Sequence, residues 1–150
     1  MKVAVASDHG GYAAKEAVKS LLSSMGIAVT DFGTDSGESV DYPEYGFRVA
    51  EAVASKKFDR GILVCGTGIG MSVVANKVKG IRAALCSSPE AAKLSREHND
   101  SNILCLGGRL LDGKQVEEIV RVWVSTGFSG DERHVRRIQQ ISAGEARWLG

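Results

Sequence analysis

The chain has 150 residues, enough for one domain with a core of its own. Lysine and arginine number 19 against 18 aspartate and glutamate, and a net charge of +1 lacks the basic excess expected of a general nucleic-acid binder. No apolar stretch approaches the roughly 18 residues of a membrane span, and no signal peptide is expected from the N-terminus. Cys65, Cys86 and Cys105 are an odd, widely spaced set, which points to free thiols in a reducing cytoplasm rather than to disulfides or a zinc site.

Lys2 to Ser7 reads as a first strand, with Val3 to Ala6 as its buried run, and it exits through the polar turn Asp8-His9-Gly10-Gly11. Ala14, Ala17, Val18, Leu21, Leu22 and Met25 keep helical spacing over Tyr12 to Met25, and Gly26 stops that helix. Ile27 to Phe32 reads as a second strand. The loop from Gly33 to Asp41 leads to Pro43, which suits a first helical turn; Val49, Ala50, Val53 and Ala54 then mark a second helix.

Ile62, Leu63 and Val64 have the continuous apolar character of a buried parallel strand, and Cys65 stands where that strand ends. Gly66, Gly68 and Gly70 follow on alternate positions, permitting a tight turn and leaving backbone N–H groups uncovered. Met71, Val73, Val74, Ala75 and Val78 can continue as a helix. A strand, a thiol, a glycine turn and a helix N-terminus in succession describe an anion site with a nucleophile or base at its lip, and a thiolate is stabilised in such a place.

Arg82 to Cys86 reads as a fourth strand, Ser88-Pro89-Glu90 opens a helix that runs to about His98, and Asn99 to Asn102 is a loop. Ile103 to Leu106 is a fifth strand with Gly107-Gly108-Arg109 as its exit. Val116, Ile119, Val120, Trp123 and Val124 give an amphipathic helix. Gly127 to Gly130 breaks the chain before a basic helix from Asp131 to about Ile141, and residues 142–150 form a tail without an assigned element.

Strands alternating with helices predict an α/β fold, a three-layer αβα sandwich on a five-stranded parallel sheet, with one domain over residues 1–150. Ligands of such sheets sit outside the carboxyl ends of the strands, where strand order reverses. Asp8-His9, Cys65-Gly66-Thr67 and Gly108-Arg109 belong to that rim. His98 lies at the far end of its helix and would join them only from a second subunit or by an unusual path.

Each candidate also has a plainer reading. Cys65 could be a small buried hydrophobe, as most free cysteines are, but the glycine turn beside it favours chemistry; Cys86 and Cys105 lack that context and read as core. A dinucleotide site fits poorly, since the sixth position of a Gly-x-Gly-x-x-Gly count falls on Met71 and no acidic residue ends the next strand. A Cys-x5-Arg phosphatase loop fails at Met71 too. Asp8 and Asn99, beside His9 and His98, are good capping residues. Arg133 and Arg137 are an i, i+4 pair, either a solvated basic face or a phosphate clamp with Arg109 in support, with His134 a quarter turn away.

Taken together, Val-Ala-Ser-Asp-His-Gly-Gly (5–11), Asp-Tyr-Pro (41–43), Cys-Gly-Thr-Gly-Ile-Gly-Met-Ser (65–72), Gly-Ile-Arg-Ala-Ala-Leu-Cys (80–86), His-Asn-Asp-Ser-Asn (98–102) and Arg-His-Val-Arg-Arg-Ile (133–138) resemble type B ribose-5-phosphate isomerase, whose relatives include galactose-6-phosphate isomerase subunits. The motifs cover roughly residues 2–141; Asp131-Glu132 departs from the glycines expected before the arginine. The resemblance implies a Rossmann-like sheet ordered 2-1-3-5-4. It also implies an aldose–ketose isomerase that interconverts ribose 5-phosphate and ribulose 5-phosphate without metal or cofactor. A homodimer is implied whose two sites each draw on both chains, with a tetramer as a larger alternative. In that frame Cys65 is the base, and Gly66, Thr67, Gly68, Ile69 and Gly70 stabilise an enediolate. His98 opens the sugar ring, Asp8 orients a hydroxyl and Asn99 binds another, while His9, Arg109, Arg133 and Arg137 meet the phosphate. A hexose 6-phosphate substrate and a non-catalytic phosphosugar-binding module are the competing readings.

Overall fold

Runs of valine, isoleucine, leucine and alanine build the centre of the molecule because a parallel strand covered on both faces needs apolar side chains at every position. The computed structural model describes residues 1–150. Its strands are β1 (Lys2–Ser7), β2 (Ala28–Asp31), β3 (Arg60–Cys65), β4 (Ala83–Leu85) and β5 (Ile103–Gly107). They pair in the order β2-β1-β3-β5-β4, all parallel. Each strand lies where the sequence pattern puts it, with ends displaced by one residue or two.

Helices α1 (Tyr12–Ser24), α2 (Tyr42–Ala54), α3 (Ile69–Ala75), α4 (Pro89–Asn99), α5 (Gly113–Ser125) and α6 (Glu132–Trp148) follow, with a 3-10 turn over His9–Gly11. Alternation along the strands splits the core. Val3, Val5, Ile62, Val64, Leu104 and Leu106 meet α1, α4 and α5 through residues such as Val18, Ala92 and Trp123. Ala4, Ala6, Leu63, Cys65, Ile103 and Cys105 meet α2 and α3 through Val49, Val53 and Met71. Cys86 and Cys105 are buried, and burial pushes both thiols above their usual range.

Two arginines tie down the far end of α5. Arg60 donates to the carbonyls of Trp123 and Val124, at 2.9 and 3.3 Å, and Arg96 Nε donates to Thr126 O at 3.0 Å. Carbonyls at a helix C-terminus lack intrahelical partners, so cations there satisfy acceptors and the dipole together. Arg96 also donates to Ser101 O and to Asp100 Oδ1, which fixes the end of α4.

The last helix is longer than the sequence suggested. α6 runs to Trp148, where the basic helix was expected to stop near Ile141, so most of the expected tail is helical. Gly144 does not break it, and Glu145 Oε1 accepts from Gly80 N at 2.8 Å, pinning the second half of the helix to the turn before β4.

Candidate functional site

The carboxyl ends of β1, β3 and β5 meet around a cavity of about 480 Å³ lined by Asp8, Tyr42, Cys65, Gly66, Thr67, Ile69, Gly70, Val73 and Arg109. This is the switch point of the strand order, where β1 is flanked by β2 and β3. Cys65 is the last residue of β3 and only 4 % exposed, yet it forms part of the cavity wall.

Gly68 makes the turn that delivers backbone donors to the thiol. Its φ is +78°, and a Cβ there would lie 2.6 Å from Leu85 Cδ1 and 2.8 Å from the Leu106 carbonyl carbon. Glycine alone fits that conformation and that approach. The turn lets Gly68 N–H donate to Cys65 Sγ at 3.2 Å. Ile69 N–H is taken by Thr67 Oγ1 at 3.2 Å, while the N–H groups of Gly66 and Gly70 find no acceptor within the chain.

Asp8 is both a cap and a cavity residue. Its Oδ1 accepts from Gly11 N–H at 3.2 Å, capping the 3-10 turn, and it remains on the cavity wall. His9 beside it accepts at Nδ1 from Val40 N–H at 3.2 Å, so its other ring nitrogen carries the proton. Tyr42 was missed as a site residue in the sequence, where it stood only within the Asp-Tyr-Pro motif at 41–43. Its ring packs where a Cβ on Gly70 would stand, 2.7 Å from Tyr42 Cζ; the glycine at position 70 is the signal that something large lies close.

The remaining candidates gather elsewhere. His98, in the last turn of α4, stacks on His134 of α6 with centroids 4.2 Å apart and planes 18° from parallel. Arg133 Nε donates to His134 Nε2 at 3.3 Å, and Arg133 and Arg137 are both exposed beside it. Burial lowers the His134 pKa below the histidine norm, with His98, Arg133 and Arg137 acting the same way against Asp131. Asn99, expected to bind a sugar hydroxyl, lines a groove with Arg82, Ile141, Glu145 and Trp148. None of His98, Asn99, Arg133 and Arg137 lines the cavity that Cys65 opens on. One chain therefore carries two separate clusters, a thiol with amide donors and a group of arginines with histidines. No group of three histidine, cysteine or carboxylate side chains assembles a metal site, and no helix is long and apolar enough to cross a membrane.

The chain is similar to known proteins over most of its length. A model of the Ribose/Galactose Isomerase family matches residues 3–141. Ribose-5-phosphate isomerase B of Escherichia coli is 44% identical, over 97% of each chain. D-erythrulose-4-phosphate isomerase of Pectobacterium atrosepticum is 37% identical, over 87% of this chain and 86% of that one. The structure of ribose-5-phosphate isomerase B from Clostridium thermocellum superposes with a TM-score of 0.96 at 49% identity, covering 99% of both chains.

Proposed function

The chain belongs to the ribose/galactose isomerase family, and from that premise we propose that it interconverts ribose 5-phosphate and ribulose 5-phosphate. Moving a carbonyl between C1 and C2 takes a proton from one carbon and returns it to the other, through an enediolate with negative charge on oxygen. Such a site needs a base and donors aimed at that oxygen. Cys65 is the base. The observation that carries this reading is its sulfur at the cavity wall with the Gly68 N–H upon it. The unspent N–H groups of Gly66 and Gly70, with Thr67 beside them, meet the enediolate, each such donor contributing about 3 kcal/mol in other enzymes.

Ribose phosphate is mainly a closed ring, and His98 is the acid–base that opens it. Asp8 orients a hydroxyl, Asn99 binds another, and Arg133 and Arg137 clamp the phosphate with His9 and Arg109. The two clusters are joined in a homodimer in which one chain lends His98, Asn99, Arg133 and Arg137 to the Cys65 cavity of the other. In support of this, Ile69, Val73, Leu85 and Leu110 stand 44–68 % exposed near the glycine turn, an apolar rim that a second copy would cover. No metal or cofactor takes part in these steps. The free thiols suit the cytoplasm and the reaction suits the non-oxidative pentose phosphate pathway.

A coupled assay offering ribose 5-phosphate, then galactose and allose 6-phosphates, tests the substrate. Turnover of ribose 5-phosphate well above either hexose supports the proposal; preference for a hexose replaces the substrate, and no turnover of any favours a binding module. Cys65→Ala is expected to abolish turnover while leaving phosphate-dependent binding nearly intact, and full activity in that variant contradicts the assignment of the base.

A further inference from the structure

His134 has no part in the steps above, yet its ring lies face to face with that of His98. It is 5 % exposed and is the one buried side chain of α6. Two links hold it. Its backbone N–H donates to Asp131 O at 2.9 Å, and Arg133 Nε donates to its Nε2 at 3.3 Å. Because that nitrogen accepts, the ring proton sits on Nδ1 and the imidazole is uncharged. The loop before α6 is in turn fastened to α4, where Ser129 N–H donates to Glu97 O at 3.2 Å. His98 thus has a flat neutral surface, anchored on a separate helix, against one face of its ring at 4.2 Å.

We propose that His134 is a positioning residue for the isomerisation, setting the plane of the His98 imidazole so that its nitrogen meets the ring oxygen of the closed sugar. A histidine on the last turn of a helix, with one face open, can rotate about two side-chain bonds; stacking against a buried ring removes that freedom. A misdirected imidazole would lose proton transfer more than binding, because Arg133 alone of the phosphate-gripping side chains is bonded to His134, through one contact at 3.3 Å. The inference rests on the reading of His98 as the ring-opening acid–base.

The test compares His134→Ala and His134→Phe, alone and with His98→Asn, using ribose 5-phosphate, and records the His98 ring-proton resonances by NMR. His134→Ala is expected to lower kcat about tenfold with KM within about twofold, and to move the His98 ring protons downfield as the stacked ring is lost. His134→Phe, which keeps a flat ring, is expected to recover most of the rate and the upfield shift. In the His98→Asn background His134→Ala is expected to cost nothing further. An unchanged kcat in His134→Ala overturns the proposal, as does a loss equally large in the His98→Asn background. The premise fails separately, if His98→Asn itself turns over closed-ring substrate at the full rate; the NMR shift still reports whether His134 sets the ring.

Discussion

Gly68 joins backbone strain to chemistry in a single residue. Alanine there must adopt φ of +78° and find room beside the Leu106 backbone, which cannot yield as a flexible side chain can. The left-handed conformation alone costs about 1–2 kcal/mol. Relief of the clash would swing the amide off Cys65 Sγ, so activity should suffer more than stability. Gly68→Ala is expected to lower kcat about a hundredfold, by the sensitivity of rates to misplacement near 1 Å, with a smaller change in denaturation midpoint. Steady-state kinetics beside urea unfolding checks this, and a folded variant with normal kcat contradicts it. His98→Asn is expected to hurt turnover of closed-ring ribose 5-phosphate more than that of open-chain ribulose 5-phosphate; equal losses count against ring opening.

Elements are held in register around the site by buried charge as well as by apolar packing. Lys15 of α1 is fully buried, and its Nζ donates to both Asp31 oxygens at 2.8 Å and to Thr34 O at 2.6 Å. Asp31 ends β2, and Thr34 begins the loop whose far end donates from Val40 to His9. Lys15→Met would leave Asp31 with Lys19 as its remaining cation. Removing one partner of a buried pair costs about 3–5 kcal/mol, and the lower end is expected here because Lys19 remains. Denaturant unfolding measures it, and a loss below about 1 kcal/mol sets the pair among ordinary surface bridges.

Strands and most helices were legible because their apolar periodicities are those of a doubly covered parallel sheet. The end of α6 was not. Ser142, Ala143 and Gly144 offer no apolar face, and what holds that turn is Glu145 reaching Gly80, 65 residues away in sequence. In the same way the glycine turn at Cys65 declared itself locally, whereas the stacking of His98 on His134 joins two helices by a contact no spacing announces.

For the whole molecule, acid acts on stability through Asp31 and His134, in separate windows. Burial opposes ionisation of Asp31, but the hydrogen bonds from Lys15, Lys19 and Gly33 N–H outweigh it and hold the carboxyl below its usual value of 3.8. Its contribution is present above that value and lost as pH falls through the lowered one. For His134, burial, then His98 and the arginines, disfavour the charged form relative to the usual 6.5. The unfolded chain then binds a proton that the folded one does not, so stability falls as pH drops below about 6.5. Unfolding midpoints from pH 8 to pH 5 should decline in wild type and decline less in His134→Phe; identical slopes contradict the assignment.

The proposed site joins the Cys65 cavity of one chain to the His98 cluster of another. Mixing the Cys65→Ala and His98→Asn variants under conditions that reshuffle subunits tests this most directly. Each parent should be nearly inactive on ribose 5-phosphate. Half of the random dimers would be mixed, and each of those would hold one site with both residues intact, so activity should rise to about a quarter of wild type. A mixture that reshuffles fully and remains as inactive as its parents would contradict the account.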